Sequence, residues 1–109
     1  MTPDELLDAW DAGETPERIE VKAAVKASLA ALVEKAPGHA VEVRVPPYAA
    51  VQAVEGSRHR RGTPPAVVEC DARTWLGLAT GRLLWADAVA DGRVRASGER
   101  SDLTPHLPV

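Results

Sequence analysis

The sequence predicts one α+β domain, and three observations carry that reading. Apolar residues recur at three-four spacing in four segments. They alternate at spacing two in four others, which predicts strands. The chain has 109 residues, and domains of this size bury only about 60 to 70% of their unfolded surface around a single core, so a second domain has no room.

The opening "TPDELLDAWDAG" has the form of a short capped helix. Thr2 can cap it, Pro3 occupies the first helical position, acidic residues follow and Gly13 stops it, with Leu6, Leu7 and Trp10 as its apolar face. The same start recurs in "TPERIEVKAAVKASLAALVEKAPG", which predicts Thr15 as cap, Pro16 as first residue and Pro37-Gly38 as terminator. In this second helix Val21, Ala24, Val25, Ser28, Leu29, Leu32 and Ala36 form one buried stripe, with Arg18, Lys22 and Lys26 along another side.

From Val41 the period drops to two: Val41, Val43 and Val45 face one way, Glu42 and Arg44 the other, and Pro46-Pro47 ends the strand because proline cannot donate to a ladder. "YAAVQAVEG" predicts a second strand, antiparallel to the first because the connection is too short for a parallel crossover. After the loop "SRHRRGTPP", "AVVEC" predicts a third strand with Val68 and Cys70 inward and Glu69 outward. Asp71 can cap a helix through "ARTWLGLATG", where Ala72, Trp75, Leu76 and Ala79 share a face and Gly81 stops it. "RLLWADAVADG" predicts a short helix with Leu84, Trp85, Ala88 and Val89 on one side, ending at Gly92. "RVRASG" alternates again, with Val94 and Ala96 in and Arg93 and Arg95 out, and in "SDLTPHLPV" Leu103 and Leu107 are spaced to close over the core.

Composition narrows the function. Apolar residues make up 45% and charged residues 27%, the balance of a folding globular chain, but Phe is absent, so three Trp and one Tyr supply all the aromatic volume. The net charge is −3: residues 1–40 hold four Lys/Arg against eight Asp/Glu, and residues 41–109 hold nine against eight. Neither part is basic enough for general nucleic-acid binding, which depends on neutralising phosphates. No apolar run approaches the roughly 18 residues of a membrane span, and the acidic start lacks the basic and apolar regions of a signal peptide. A cytoplasmic protein is expected, consistent with its single cysteine.

The residues that could carry chemistry do not assemble into a catalytic set. His39, His59 and His106 have no ligand-type partner at i+3 or i+4. Cys70 is followed by Asp71, an acid that raises a thiol pKa, and reads as a small core hydrophobe. Asp87 and Asp91 alone make an incomplete metal site. The run Arg58, His59, Arg60, Arg61 admits two readings, a solvated loop or a contact for an anionic head group. Trp75 and Trp85 admit two as well, core filling or pocket lining.

The order of these parts resembles the sterol carrier protein family. A strand ending in an acidic cap is followed there by a helix, a Thr-Gly stop, a short helix, a glycine and a closing strand, matched here by Asp71, Trp75, Leu78, Thr80-Gly81, Ala88, Gly92, Val94 and Gly98. "DLTPHLP" falls where the family places its last helix. From Val21 onward, "VEVRVPP", "RGTPP" and "GRVRASG" look like the compact bacterial, actinobacterial-type members, and the Arg- and Ala-rich, Lys-poor composition suits such a high-GC source.

The resemblance implies helices on one face of a mostly antiparallel, four-stranded sheet, and passive capture of a sterol or fatty acyl chain without catalytic residues or cofactor. The expected pocket, between the sheet and the helices of residues 72–91, is lined by Trp75, Leu78, Leu83, Trp85, Leu103 and Leu107, with Arg58, Arg60 and Arg61 at an anionic head. The alternative is an accessory or interaction module with a filled core. The expected organisation is a capped helix over residues 1–14, free to dock on its own domain or on a protein partner, and a sterol-carrier-like domain over residues 15–109.

Overall fold

The computed structural model describes residues 1–56, 66–98 and 101–109. In chain order it has α1 (Pro3–Asp11), α2 (Arg18–Lys35), β1 (Val41–Val45), β2 (Ala49–Ala53), β3 (Ala66–Cys70), α3 (Ala72–Thr80), α4 (Trp85–Ala90) and β4 (Val94–Ser97), followed by a 3-10 turn at Thr104–His106.

Local chemistry sets the helix ends. Thr2 Oγ1 accepts from Glu5 N while Glu5 Oε1 accepts from Thr2 N, a reciprocal capping box that satisfies two orphan donors of α1. Asp71 Oδ1 accepts from Thr74 N at 2.7 Å and caps α3, and Gly81 ends that helix at φ 83°, a left-handed position that glycine occupies without a Cβ clash. The expected cap of α2 is corrected: the helix begins at Arg18 with Glu17 at the N-cap and no side-chain cap, leaving Thr15 and Pro16 in the approach.

The sheet order is β2-β1-β3-β4. β1 pairs antiparallel with β2 and β3 antiparallel with β4, while the central pair, β1 with β3, is parallel, in register Val41↔Ala66 through Arg44↔Glu69. The sheet is therefore mixed. One face carries Val41, Val43, Val45 and Val68, all fully buried. The other carries Glu42 and Arg44 of β1 and Arg95 of β4, and Arg44 Nε donates to Glu42 Oε1 at 2.8 Å along β1.

The whole predicted stripe of α2, from Val21 to Ala36, is buried. α2 packs on β2 and α3, α4 packs on β4, and α1 packs on α3 with Leu6 and Leu7 buried within the chain. Two predicted faces are corrected. α4 is shorter than expected, with Leu84 at its N-cap, and Leu84 and Val89 are exposed. Ala96 is exposed as well, because β4 is an edge strand covered only at Val94.

Candidate ligand-binding site

Trp75 lies in the centre of the core. Its ring is fully buried, and its Nε1–H donates to Ser28 Oγ at 2.8 Å. The Ser28 hydroxyl donates in turn to the backbone of its own helix, 2.8 Å from Ala24 O and 3.0 Å from Val25 O. This chain leaves no buried side-chain polar atom of the described residues unpaired. Leu78 and Leu103 are also buried, and Leu83, Trp85 and Leu107 pack partly buried at the core's rim. The six residues expected to line a pocket thus form part of the packed core and its margin, and of them only Leu83 borders the first cleft described below. Arg58, Arg60 and Arg61 lie outside the described residues.

Two clefts border α1. The first, about 450 Å³, is bordered by Leu7 and Asp11 of α1, Arg73, Thr74 and Gly77 of α3, and Arg82 and Leu83 beyond it. Gly77 lets Leu83 approach, since a Cβ there would sit 3.0 Å from the Leu83 Cβ. The second is an open groove of about 670 Å³ running along α2. Its floor is Ala23, Ala24, Ala27 and Ala31, its walls include Pro3, Ala79 and Pro108, and Ser28 is a polar group on that floor. Trp75 does not line this groove, yet stands one hydrogen bond behind it.

The sequence reading missed this groove. Ala23, Ala27 and Ala31 recur at i, i+4 and i+8 on the unburied side of α2, and that spacing of small side chains was the available signal. It also missed Arg82, which reaches Asp8 at 2.9 Å, Asp11 at 3.2 Å and Asp4 at 3.4 Å, while Arg73 reaches Asp11 at 2.8 Å. The Asp8 hydrogen bond, first among several, raises the Arg82 pKa.

Other candidates have local roles. His39 Nδ1 lies 2.7 Å from Gln52 Oε1, and Asp91 pairs with Arg93 at 3.1 Å. Burial first, then the Asp71 and Glu69 charges, push the Cys70 thiol up to about 12. Such a thiol is protonated at neutral pH and is expected to resist alkylation in the folded protein at pH 8, reacting only on unfolding. Because the folded pKa lies above the unfolded one, the stabilising contribution is complete below about pH 9 and is lost as pH rises toward 12. The unfolding midpoint should therefore fall from pH 9 to 11, and fall less in Cys70→Ala. Equal falls would locate the alkaline sensitivity elsewhere.

A family model described as "Bacterial SCP ortholog" matches residues 17–109. The chain belongs to the bacterial sterol carrier protein family. No curated protein matches it. The SCP match includes α2, the sheet, α3 and α4, and it leaves α1 outside. In this SCP chain, then, the walls contributed by Pro3, Leu7 and Asp11 come from a segment beyond the matched residues. Among the described residues no helix is long and apolar enough to cross a membrane.

Proposed function

We propose that the protein is a non-catalytic binder of a single alkyl chain, taken into the groove along α2. The observation that carries this reading is the groove itself, an open cleft of about 670 Å³ floored by alanines, with Asp4 and the Met1–Glu20 ion pair among its lining residues, in a member of a carrier family. Its size lies within the range of about 300 to 1,000 Å³ typical of small-molecule sites. Each methylene removed from water there contributes about 0.8 kcal/mol, so affinity should climb with chain length until the groove is full. Trp75, Leu78 and Leu103 serve as the packed wall behind the chain. Leu83, Trp85 and Leu107 stay at the rim of the core, with Leu83 bordering the first cleft.

The test is native mass spectrometry of protein purified from a bacterial host, with a fatty-acid titration read by Trp75 fluorescence in a Trp10→Phe, Trp85→Phe background. A co-purifying lipid or a saturable, length-dependent signal supports the carrier reading. Ala27→Trp, at an exposed floor position, should weaken binding on the order of tenfold, the equivalent of about two methylenes losing their cover, and leave the melting temperature unchanged. An apo mass with flat titrations at every chain length would overturn the reading. It would favour an interaction module, which the full burial of Trp75, Leu78 and Leu103 already suits.

A further inference from the structure

α1 has the chemistry of a ligand. Its Leu6 and Leu7 are buried against the domain, and Asp4, Asp8 and Asp11, at i, i+4 and i+7, carry its negative charge to one side. Those carboxylates meet Arg82 and Arg73. Among the described residues, every carboxylate within ion-pair distance of these two guanidiniums belongs to α1.

The placement of α1 is equally telling. Leu7 and Asp11 border the first cleft, Pro3 and Asp4 border the groove, and α3 contributes Thr74 and Gly77 to one and Ala79 and Thr80 to the other. α1 is thus the partition between two cavities that share α3. It stands outside the family match and is joined to it through residues 12–16, ahead of a helix start that has no side-chain cap.

We propose that α1 is a tethered stand-in for a fatty carboxylate, and that such an amphiphile binds by displacing α1 from α3, with its head on Arg82 and Arg73 and its chain running through the space that Leu6 and Leu7 vacate into the groove along α2. The proposal rests on the alkyl-chain reading above and adds its gate and its head-group site. When α1 lifts, Asp4, Asp8 and Asp11 leave with it, and Arg82 and Arg73 are free to bind a carboxylate bidentately. Removal of the partition joins the two clefts into one trough over α3. Ligand and α1 then compete, so the apparent affinity is reduced by the fraction of molecules in which α1 is docked.

Competition predicts a sign that a fixed wall cannot produce: loosening α1 tightens binding. The probes are dodecanoate and neutral dodecanol at monomeric concentrations, and the readouts are dissociation constants and amide exchange of residues 3–11 in the full chain. In wild type, dodecanoate should raise exchange across α1. The triple variant Asp4→Asn, Asp8→Asn, Asp11→Asn, changed only at exposed positions, should bind dodecanoate on the order of tenfold tighter. Adding Arg82→Gln to it should remove the preference for dodecanoate over dodecanol. Leu7→Ala, which loosens α1 without altering charge, should tighten dodecanol binding. Binding that leaves α1 protected, with unchanged or weaker affinity in the triple variant and in Leu7→Ala, would overturn the proposal and leave the groove reading standing. If neither probe binds wild type or any variant, the alkyl-chain reading itself fails, and this one with it.

Discussion

Gly38→Ala is expected to destabilise the fold by about 3 kcal/mol or more, the combined scale of overpacking and a strained backbone. After α2 the chain turns back into β1 against the far end of β2. Val54 N donates to Ala36 O at 2.7 Å, and Ala40 N donates to Val54 O at 2.9 Å. Gly38, at φ 145°, passes directly over that junction, and a Cβ there would collide with the Val54 carbonyl and lie 2.6 Å from Glu55 N. These are backbone atoms held by hydrogen bonds on both sides, and Val54 is itself at φ 69°, so nothing nearby can yield cheaply. The melting temperature should drop on the order of 12 °C or more, at roughly 4 °C per kcal/mol. Gly56→Ala is the control, because its added methyl would meet only the Ala40 Cβ at 3.4 Å. A Gly38→Ala protein within about 1 kcal/mol of wild type in urea unfolding would mean that the turn follows another path.

Trp75→Ala should cost about 3 to 5 kcal/mol, since it empties the largest fully buried side chain of a core without Phe. Its partner isolates the polar share of that loss. Ser28→Ala strands a buried indole N–H and should cost about 1 to 3 kcal/mol. In Trp75→Phe the Ser28 hydroxyl keeps its bond to Ala24 O, so the stranded group disappears and the cost should be smaller than in Trp75→Ala. The double variant Ser28→Ala, Trp75→Phe should consequently be more stable than the two single changes summed. Strict additivity in chemical denaturation would show that the indole N–H and the hydroxyl are not coupled.

Much of the fold was legible because its signals are local. The capping box of Thr2 and Glu5, the Asp71 cap and the Gly81 stop are each written within a few residues, and the seven-residue stripe of α2 is buried in full. The failures share a cause. Leu84 and Val89 repeat at helical spacing, yet α4 has only six residues and, among the described residues, nothing covers that side of it. Ala96 alternates correctly on a strand that is buried only at Val94. Periodicity states which side chains share a face, and burial requires a neighbour to meet that face.

The candidate site was less legible for the same reason. Trp75 and Leu78 look alike in sequence whether they line a cavity or fill a core, and the Ser28 hydroxyl that receives the indole N–H is 47 residues away. The alanine row of α2 is plain in the sequence, but what makes it a floor is the arrival of Pro3, Ala79 and Pro108 around it.

By itself, then, the sequence determined the order and kind of the elements, the capped ends of α1 and α3, which sides are apolar, and the family to which the order of parts corresponds, because φ/ψ preferences, caps and side-chain period act within a few residues. Only the tertiary structure decided that β1 pairs parallel with β3, that Trp75 closes the core through Ser28, and that the carboxylates of α1 meet Arg82 from 71 to 78 residues away. A strand's alternation is the same beside any neighbour, and an aspartate stripe is the same whether it faces water or a guanidinium. Those choices depend on which distant surfaces fit together, and that fit is a property of the packed molecule rather than of any segment in it.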